Sequence, residues 1–198
     1  MGDQNRERPA LLIIDMIKDN FQESKKLPIT PLARQIIAPI NGLIGVFRKE
    51  GWPIVFPSDA FHKEDFIFKT RMKPHSLVGT DGAEVIDELD RKDNDFWLTK
   101  PRFSAFFETK LDEWLKERGI TLCAIAGIAT NFCVLTSALD AICYDFKAIL
   151  LEDCTAASSK MIHEQTLDTY RRNPLYPLLR VATSAELVNE LTGKDSRA

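Results

Sequence analysis

An α/β fold, with about six mainly parallel strands and helices on both faces, is what this 198-residue sequence predicts. Three observations carry that expectation. Apolar runs of strand length recur at 10–14, 53–59, 95–100, 123–125, 146–153 and 176–182. Between most of them lie segments with apolar residues at three-to-four spacing, the pattern of one buried helix face. The β-then-α order implies right-handed crossovers, a parallel sheet and three layers.

The elements follow in order. ALLII at 10–14 is apolar throughout, as suits a strand buried on both faces, and it ends at Asp15. The polar stretch after it, with Pro28 and Pro31, reads as a loop. Leu32 to Lys49 carries a stripe of Ile36, Ile37, Ile40, Leu43, Ile44 and Phe47, stopped by Gly51. PIVFPSD at 53–59 is a second strand ending in an aspartate. Residues 60–83 lack a period, and an unstructured stretch of that length points to function rather than filler. Ala83 to Leu89 suggests a short helix, DFWLTK at 95–100 a strand ending at Lys100, and Phe106 to Arg118 a helix. The strand from Cys123 breaks at Gly127. A helix resumes near Asn131 with Cys133 in its first turn and Val134, Leu135, Ala138, Leu139 and Ile142 on one face. FKAILLED at 146–153 gives the fifth strand and Ser159 to Arg171 a helix. Tyr176 to Ala182 gives the sixth strand, and Ser184 caps a last helix to Leu191. The chain reads as one domain over 1–198, with 1–8 and 193–198 frayed.

Composition excludes several classes. A net charge of −3 offers no basic surface for nucleic acid, and no apolar run reaches membrane-spanning length. The polar start MGDQNRERP is unlike a secretory signal. The four cysteines show no C-x-x-C pair and sit in apolar segments, so reduced thiols and a cytoplasmic location are expected.

In a parallel sheet with such crossovers all strand carboxyl ends share one edge, where open α/β sheets place ligands. Asp15, Asp59, Lys100, the Cys133 turn and Asp153 all fall there. A thiol needs deprotonation to attack, and a neighbouring carboxylate can take its proton. The partial positive charge of a helix N-terminus also favours a thiolate. Plainer roles stay open for each: a turn cap for the aspartate, a solvated lysine, a small buried cysteine.

The segments ALLIIDMIKDNF, LTKPRFSAFFETKL and AGIATNFCV resemble those of the isochorismatase-like cysteine hydrolases, which include nicotinamidases and N-carbamoylsarcosine amidases. The likeness spans roughly residues 9–190. It implies a three-layer Rossmann-like fold, with Asp15 as general base, Lys100 as orienting cation and Cys133 as nucleophile. It also implies a cis peptide at Ile128–Ala129 that turns the Ala129 N–H toward that of Cys133 as an oxyanion hole. The implied reaction is attack on an amide-like carbon, a thioester intermediate, loss of ammonia or amine, then hydrolysis. The triad itself requires no cofactor. KPHSLVGTDGAEV resembles a metal-side loop of nicotinamidases, so Asp59, His62 and His75 are candidate ligands for a zinc-like divalent ion. SDAFH departs from that pattern, with Phe61 where a histidine belongs. In DMIKDNF, Asn20 displaces Phe21 by one residue. Phe21, Phe61, Phe66, Arg71 and Phe103 are candidate pocket residues. The expected partners are a small-molecule substrate and further copies of the chain, with no nucleic acid and no membrane. The alternatives are a vinyl ether hydrolase, a silent binding or scaffold module of the same fold, and a thiol redox protein built on Cys133.

Overall fold

The computed structural model describes residues 7–193. Six strands, β1 (Pro9–Ile14), β2 (Ile54–Asp59), β3 (Phe96–Lys100), β4 (Leu122–Ile128), β5 (Lys147–Ala156) and β6 (Leu179–Ala182), form one sheet in the order β3-β2-β1-β4-β5-β6. Every neighbouring pair is parallel. Strand order reverses between β1 and β4, and a crevice opens at the carboxyl ends of such a pair.

The alternation along β1 shows why its sequence is apolar without a break. Leu11 and Ile13 join one core with Phe56 and Ala124, under Ile40, Leu43, Ile44 and Phe47 of α2 (Ile37–Lys49) and Leu187 of α6 (Ser184–Thr192). Leu12 and Ile14 join the other with Val55 and Ile125. That core lies under α3 (Leu111–Glu117), α4 (Leu135–Cys143) and α5 (Lys160–Arg171) through Leu115, Ala138 and Leu167. Each strand residue therefore has a helix to pack against, whichever face it takes.

Several elements differ from expectation. The helix expected over 32–49 is two, α1 (Thr30–Gln35) and α2, broken at Ile36. Pro39 explains the break, because it has no N–H and its ring collides with the carbonyl four residues earlier. The expected helix at 83–89 is absent; a 3₁₀ turn at Asp81–Ala83 leads into an irregular segment held by Ile86 N–H on the Met16 carbonyl (3.0 Å). α3 is shorter than the stretch from Phe106, whose first residues form turns. β5 does not end at Asp153. It slips against β4 between Ile125 and Gly127 and runs on to Ala156. Asp153 is drawn instead onto Ser184, whose N–H (2.8 Å) and hydroxyl (2.5 Å) both donate to it. The cap of α6 is Thr183, closed reciprocally with Glu186, rather than Ser184. Fraying at 1–6 and 194–198 lies outside the described residues, whereas Arg8 is tied to Thr121 by backbone and side-chain hydrogen bonds. No helix among the described residues is long and apolar enough to cross a membrane.

Gly127 sets the crevice. It has φ of 102°, and a Cβ there would lie 2.1 Å from the Ile14 carbonyl oxygen. Only glycine allows β4 to pass so close to the end of β1. Gly127→Ala is expected to cost at least ~3 kcal/mol, from backbone strain plus the forced separation of the two strands. Urea denaturation checks this, and a loss under about 1 kcal/mol would contradict it.

Candidate active site

Three strand ends and one turn build the site. β1 stops at Ile14, and Asp15 takes a left-handed conformation, φ 53°, which aspartate tolerates better than most residues. The bend is pinned by the Asp15 N–H on the Pro57 carbonyl (3.0 Å) and by the Asn20 side-chain amide on the Asp15 carbonyl (3.0 Å). Asp15 Oδ1 accepts the backbone N–H of Asp59 (2.8 Å). Lys100 ends β3 in register with Asp59. Its fully buried stem crosses β2, and its ammonium pairs with the Asp59 carboxylate and with Asp15 Oδ2 at 2.9 Å. It also donates to the Arg102 carbonyl at 3.2 Å. A buried ammonium survives only when its charge is met, and here two carboxylates and a carbonyl surround it. The Asp15 contact is an ion pair off the hydrogen-bond direction, so Oδ2 carries no hydrogen bond.

Cys133 lies across the crevice. The chain leaves β4 through a cis Ile128–Ala129 peptide and enters a π turn, Thr130–Val134, before α4. This wide turn replaces the first α turn expected around Cys133, with the Phe132 and Val134 N–H groups both on the Ala129 carbonyl (2.9 and 3.2 Å). Single π turns in helices are frequent at functional sites. Ligand-capable atoms of Asp15, Asp59 and Cys133 all lie within 4.8 Å of one another. Behind the turn, buried Thr130 is hydrogen-bonded to His163 of α5 (Thr130 Oγ1 to Nδ1, 2.9 Å). Nothing near His163 in the sequence marks it, because the pairing spans 33 residues.

Electrostatics corrects one expectation. Burial, then the charge of Asp15, pushes the Cys133 thiol well above its ordinary value, and Lys100 offsets this only in part. Burial and Asp15 thus act against the thiolate that the start of a helix alone would favour. Burial opposes the charge on Lys100, but the neighbouring Asp15 and Asp59 carboxylates hold its pKa above the usual lysine range. Burial, reinforced by Asp15, raises Asp59 from 3.8 to about 7. The folded protein thus binds the Asp59 proton more tightly than the unfolded chain does. Its contribution to stability is full below about pH 4 and is lost as pH rises toward 7 and beyond. Asp59→Asn is expected to flatten the fall in melting temperature between pH 5 and 8 relative to the parent; an equally steep fall would refute the assignment.

A cavity of about 150 Å³ opens onto these groups. Of the expected residues, Asp15, Asp59, Cys133, Ile128, Ala129, Phe61, Phe103 and His75 line it. Phe21 does not; it turns into the core beneath the Arg34 guanidinium (5.6 Å). Arg71 and Phe66 are exposed and outside the lining. Asn20, Ile29, Met72 and Phe132 line it unforeseen. Phe132 belongs to the Cys133 turn, a position that could have flagged it, whereas Ile29 and Met72 carry no such signal.

The expected metal set is not assembled. Beyond β2 the chain stays extended, and Phe61 pairs with Leu77 in a parallel bridge. Alternation then puts Asp59 and Phe61 on one face and His62 on the other. His62 is exposed and lines a separate cavity with Trp97 and Glu108. His75 packs edge-on against Phe61 and Phe68, with Nδ1 on the Lys73 carbonyl (2.8 Å). Among the described residues the one cluster with metal-ligand spacing is Asp15, Asp59 and Cys133. Its two carboxylates already share the Lys100 ammonium, so this donor set does not fit a resident divalent ion.

Residues 60–83 are anchored by a residue the sequence did not single out. Asp19 accepts the Ser76 N–H (2.6 Å), pairs with Lys25 (2.7 Å) and bonds Gln22 (3.0 Å). Gly82 packs so tightly on it that a Cβ would meet Asp19 Cγ at 2.5 Å. Burial opposes the Asp19 charge, but Lys25 and the Ser76 N–H hold its pKa below the usual carboxylate range.

Residues 9–186 match the isochorismatase domain. An isochorismatase-like hydrolase from Alkaliphilus metalliredigens superposes with a TM-score of 0.80 and 31% identity, covering 92% of this chain and 98% of that one. Pyrazinamidase of Pyrococcus horikoshii, solved in complex with zinc, gives 0.76 and 26%, over 89% and 99% of the two chains. Ureidoacrylate amidohydrolase RutB of Acinetobacter baylyi is 29% identical over 186 residues, 81% of this chain and 76% of the relative.

Proposed function

The chain belongs to the isochorismatase family, and we propose that within it the chain hydrolyses the C–N bond of a small amide through a thioester on Cys133. The observation that carries this reading is the convergence of Asp15, Lys100 and Cys133 where strand order reverses, in a cavity sized for a small molecule. The amidohydrolase relative agrees with it.

Each residue has a chemical task. Asp15, whose Oδ2 is buried beside the Lys100 ammonium and carries no hydrogen bond, takes the thiol proton as sulfur attacks the carbonyl carbon. Burial and Asp15 oppose a standing thiolate, so proton transfer to Asp15 accompanies the attack. The C–S bond forms and the carbonyl π pair moves to oxygen, which the Ala129 and Cys133 N–H groups receive. One such donor contributes roughly 3 kcal/mol at the transition state. Asp15 returns the proton to nitrogen as the C–N bond breaks and ammonia or amine departs. Water then gives a proton to Asp15 and attacks the thioester. The C–S bond breaks, a carboxylic acid is released, and the sulfur recovers its proton. Lys100 orients Asp15 and balances its charge at each stage. The route uses protein groups throughout, with no metal.

Rapid acid quench during turnover, followed by peptide mass spectrometry, tests the reading. An acyl mass on the Cys133 peptide is expected. Turnover that proceeds with no such adduct, and that survives alkylation of Cys133, would remove the thioester mechanism.

A further inference from the structure

The cavity around Cys133 is walled by carbon. Phe61, Phe103, Phe132, Met72 and Ile29 face it, and Phe103 and Phe132 close on each other with ring centroids 5.9 Å apart. Among the described residues, no lysine or arginine lines it. The nearby cations are committed elsewhere. Lys100 is sealed beneath the two carboxylates, and Arg102 is directed to the Pro101 carbonyl and to Asp65. The acidic groups that do face the cavity are Asp15 and Asp59, which share the one Lys100 ammonium. His75 adds no donor when neutral. Its Nδ1 meets a carbonyl, which only accepts, so that nitrogen carries the hydrogen and the other is an acceptor.

From this, and resting on the amide-hydrolase reading above, we propose that the substrate is an uncharged amide with a compact apolar acyl group, and that carboxylate-bearing amides are rejected. A carboxylate placed here would lose its water with no cation to meet it, only the Asn20 amide already engaged with the Asp15 carbonyl, and would sit against the Asp15 carboxylate. The volume of about 150 Å³ sets the size. An apolar cavity of roughly that volume takes up benzene, so one ring or a short branched chain fills it. The chain thereby parts from the RutB relative, whose name specifies an acrylate.

The test compares ammonia release from benzamide and isobutyramide with that from succinamate and 3-ureidopropionate. The better neutral amide is expected to exceed both anions at least a hundredfold in kcat/KM. Phe132→Arg places a cation at the mouth, on a side chain 56% exposed and therefore free to vary without unfolding the core. It should raise the anion-to-neutral ratio of kcat/KM at least tenfold. Hydrolysis of either anion within tenfold of the better neutral amide overturns the inference and leaves the amidase reading standing, as does an unchanged ratio in the arginine variant. Release of ammonia from none of the four overturns both.

Discussion

Cys133→Ala is expected to lower kcat for amide hydrolysis by about 10⁴-fold or more while the protein stays folded. Loss of a covalent nucleophile leaves only binding and oxyanion stabilisation, which act on water instead of sulfur. The structural cost is small because the change deletes one atom beside an existing cavity, and alanine suits the start of a helix. A stability change near ~1 kcal/mol follows from the size of the deletion. Cys123→Ala is the control. Cys123 is equally buried, within β4, and its thiol is raised by burial alone, so its removal touches packing without touching the site. Ammonia release and urea midpoints on both variants separate the two roles. A Cys133→Ala protein keeping more than about one per cent of parental kcat would contradict nucleophilic catalysis.

Lys100→Met is expected to do double damage. Methionine fills much of the buried stem's volume but leaves the Asp15 and Asp59 carboxylates facing each other without a cation. Removing one partner of a buried ion pair typically costs about 3–5 kcal/mol. That loss should grow as pH rises, since both carboxyls would gain from holding protons and the folded state would give up stability as they ionise. Activity should fall by about 10³-fold, because a protonated Asp15 cannot accept the thiol proton. Lys100 is also a group that lowers the Cys133 pKa, so its loss should shift the pH profile of Cys133 alkylation upward. Melting curves at pH 5 and 8, together with alkylation rates across that range, examine both claims. An unchanged alkylation profile would mean that Lys100 does not govern the sulfur.

Much of the scaffold was legible because each strand had one dominant signal. An apolar run such as ALLII has nowhere to go but between two helical layers, and its end locates Asp15. The common edge of Asp15, Asp59, Lys100 and the Cys133 turn follows from strand order and crossover handedness, whereas the roles proposed for them came from the resemblance of the surrounding segments. What failed was set by contacts distant in sequence. The stretch 83–89 has helical composition, but its backbone is claimed by Met16. Asp153 reads as a site acid until a slip in β5 and the partner Ser184 take it away. Phe21 reads as a pocket wall until Arg34 covers it in the core. His62 was lost to one-residue parity: a strand continued past Asp59 turns odd and even positions to opposite faces, and Phe61 is the side chain that arrives.

The anchoring of residues 60–83 on Asp19 divides the molecule's labour. Asp15, Asp59 and Lys100 are rooted at strand ends and Cys133 in the turn leaving one, whereas Phe61, Met72 and His75 ride on a segment fastened mainly through side chains, at Asp19, Lys18 and Arg102. Substitutions that remodel that segment between its fastenings can redraw the shape of the chamber without disturbing the proton route. A lineage built this way can exchange one diet for another by drift in a single loop while inheriting its bond-breaking apparatus unaltered.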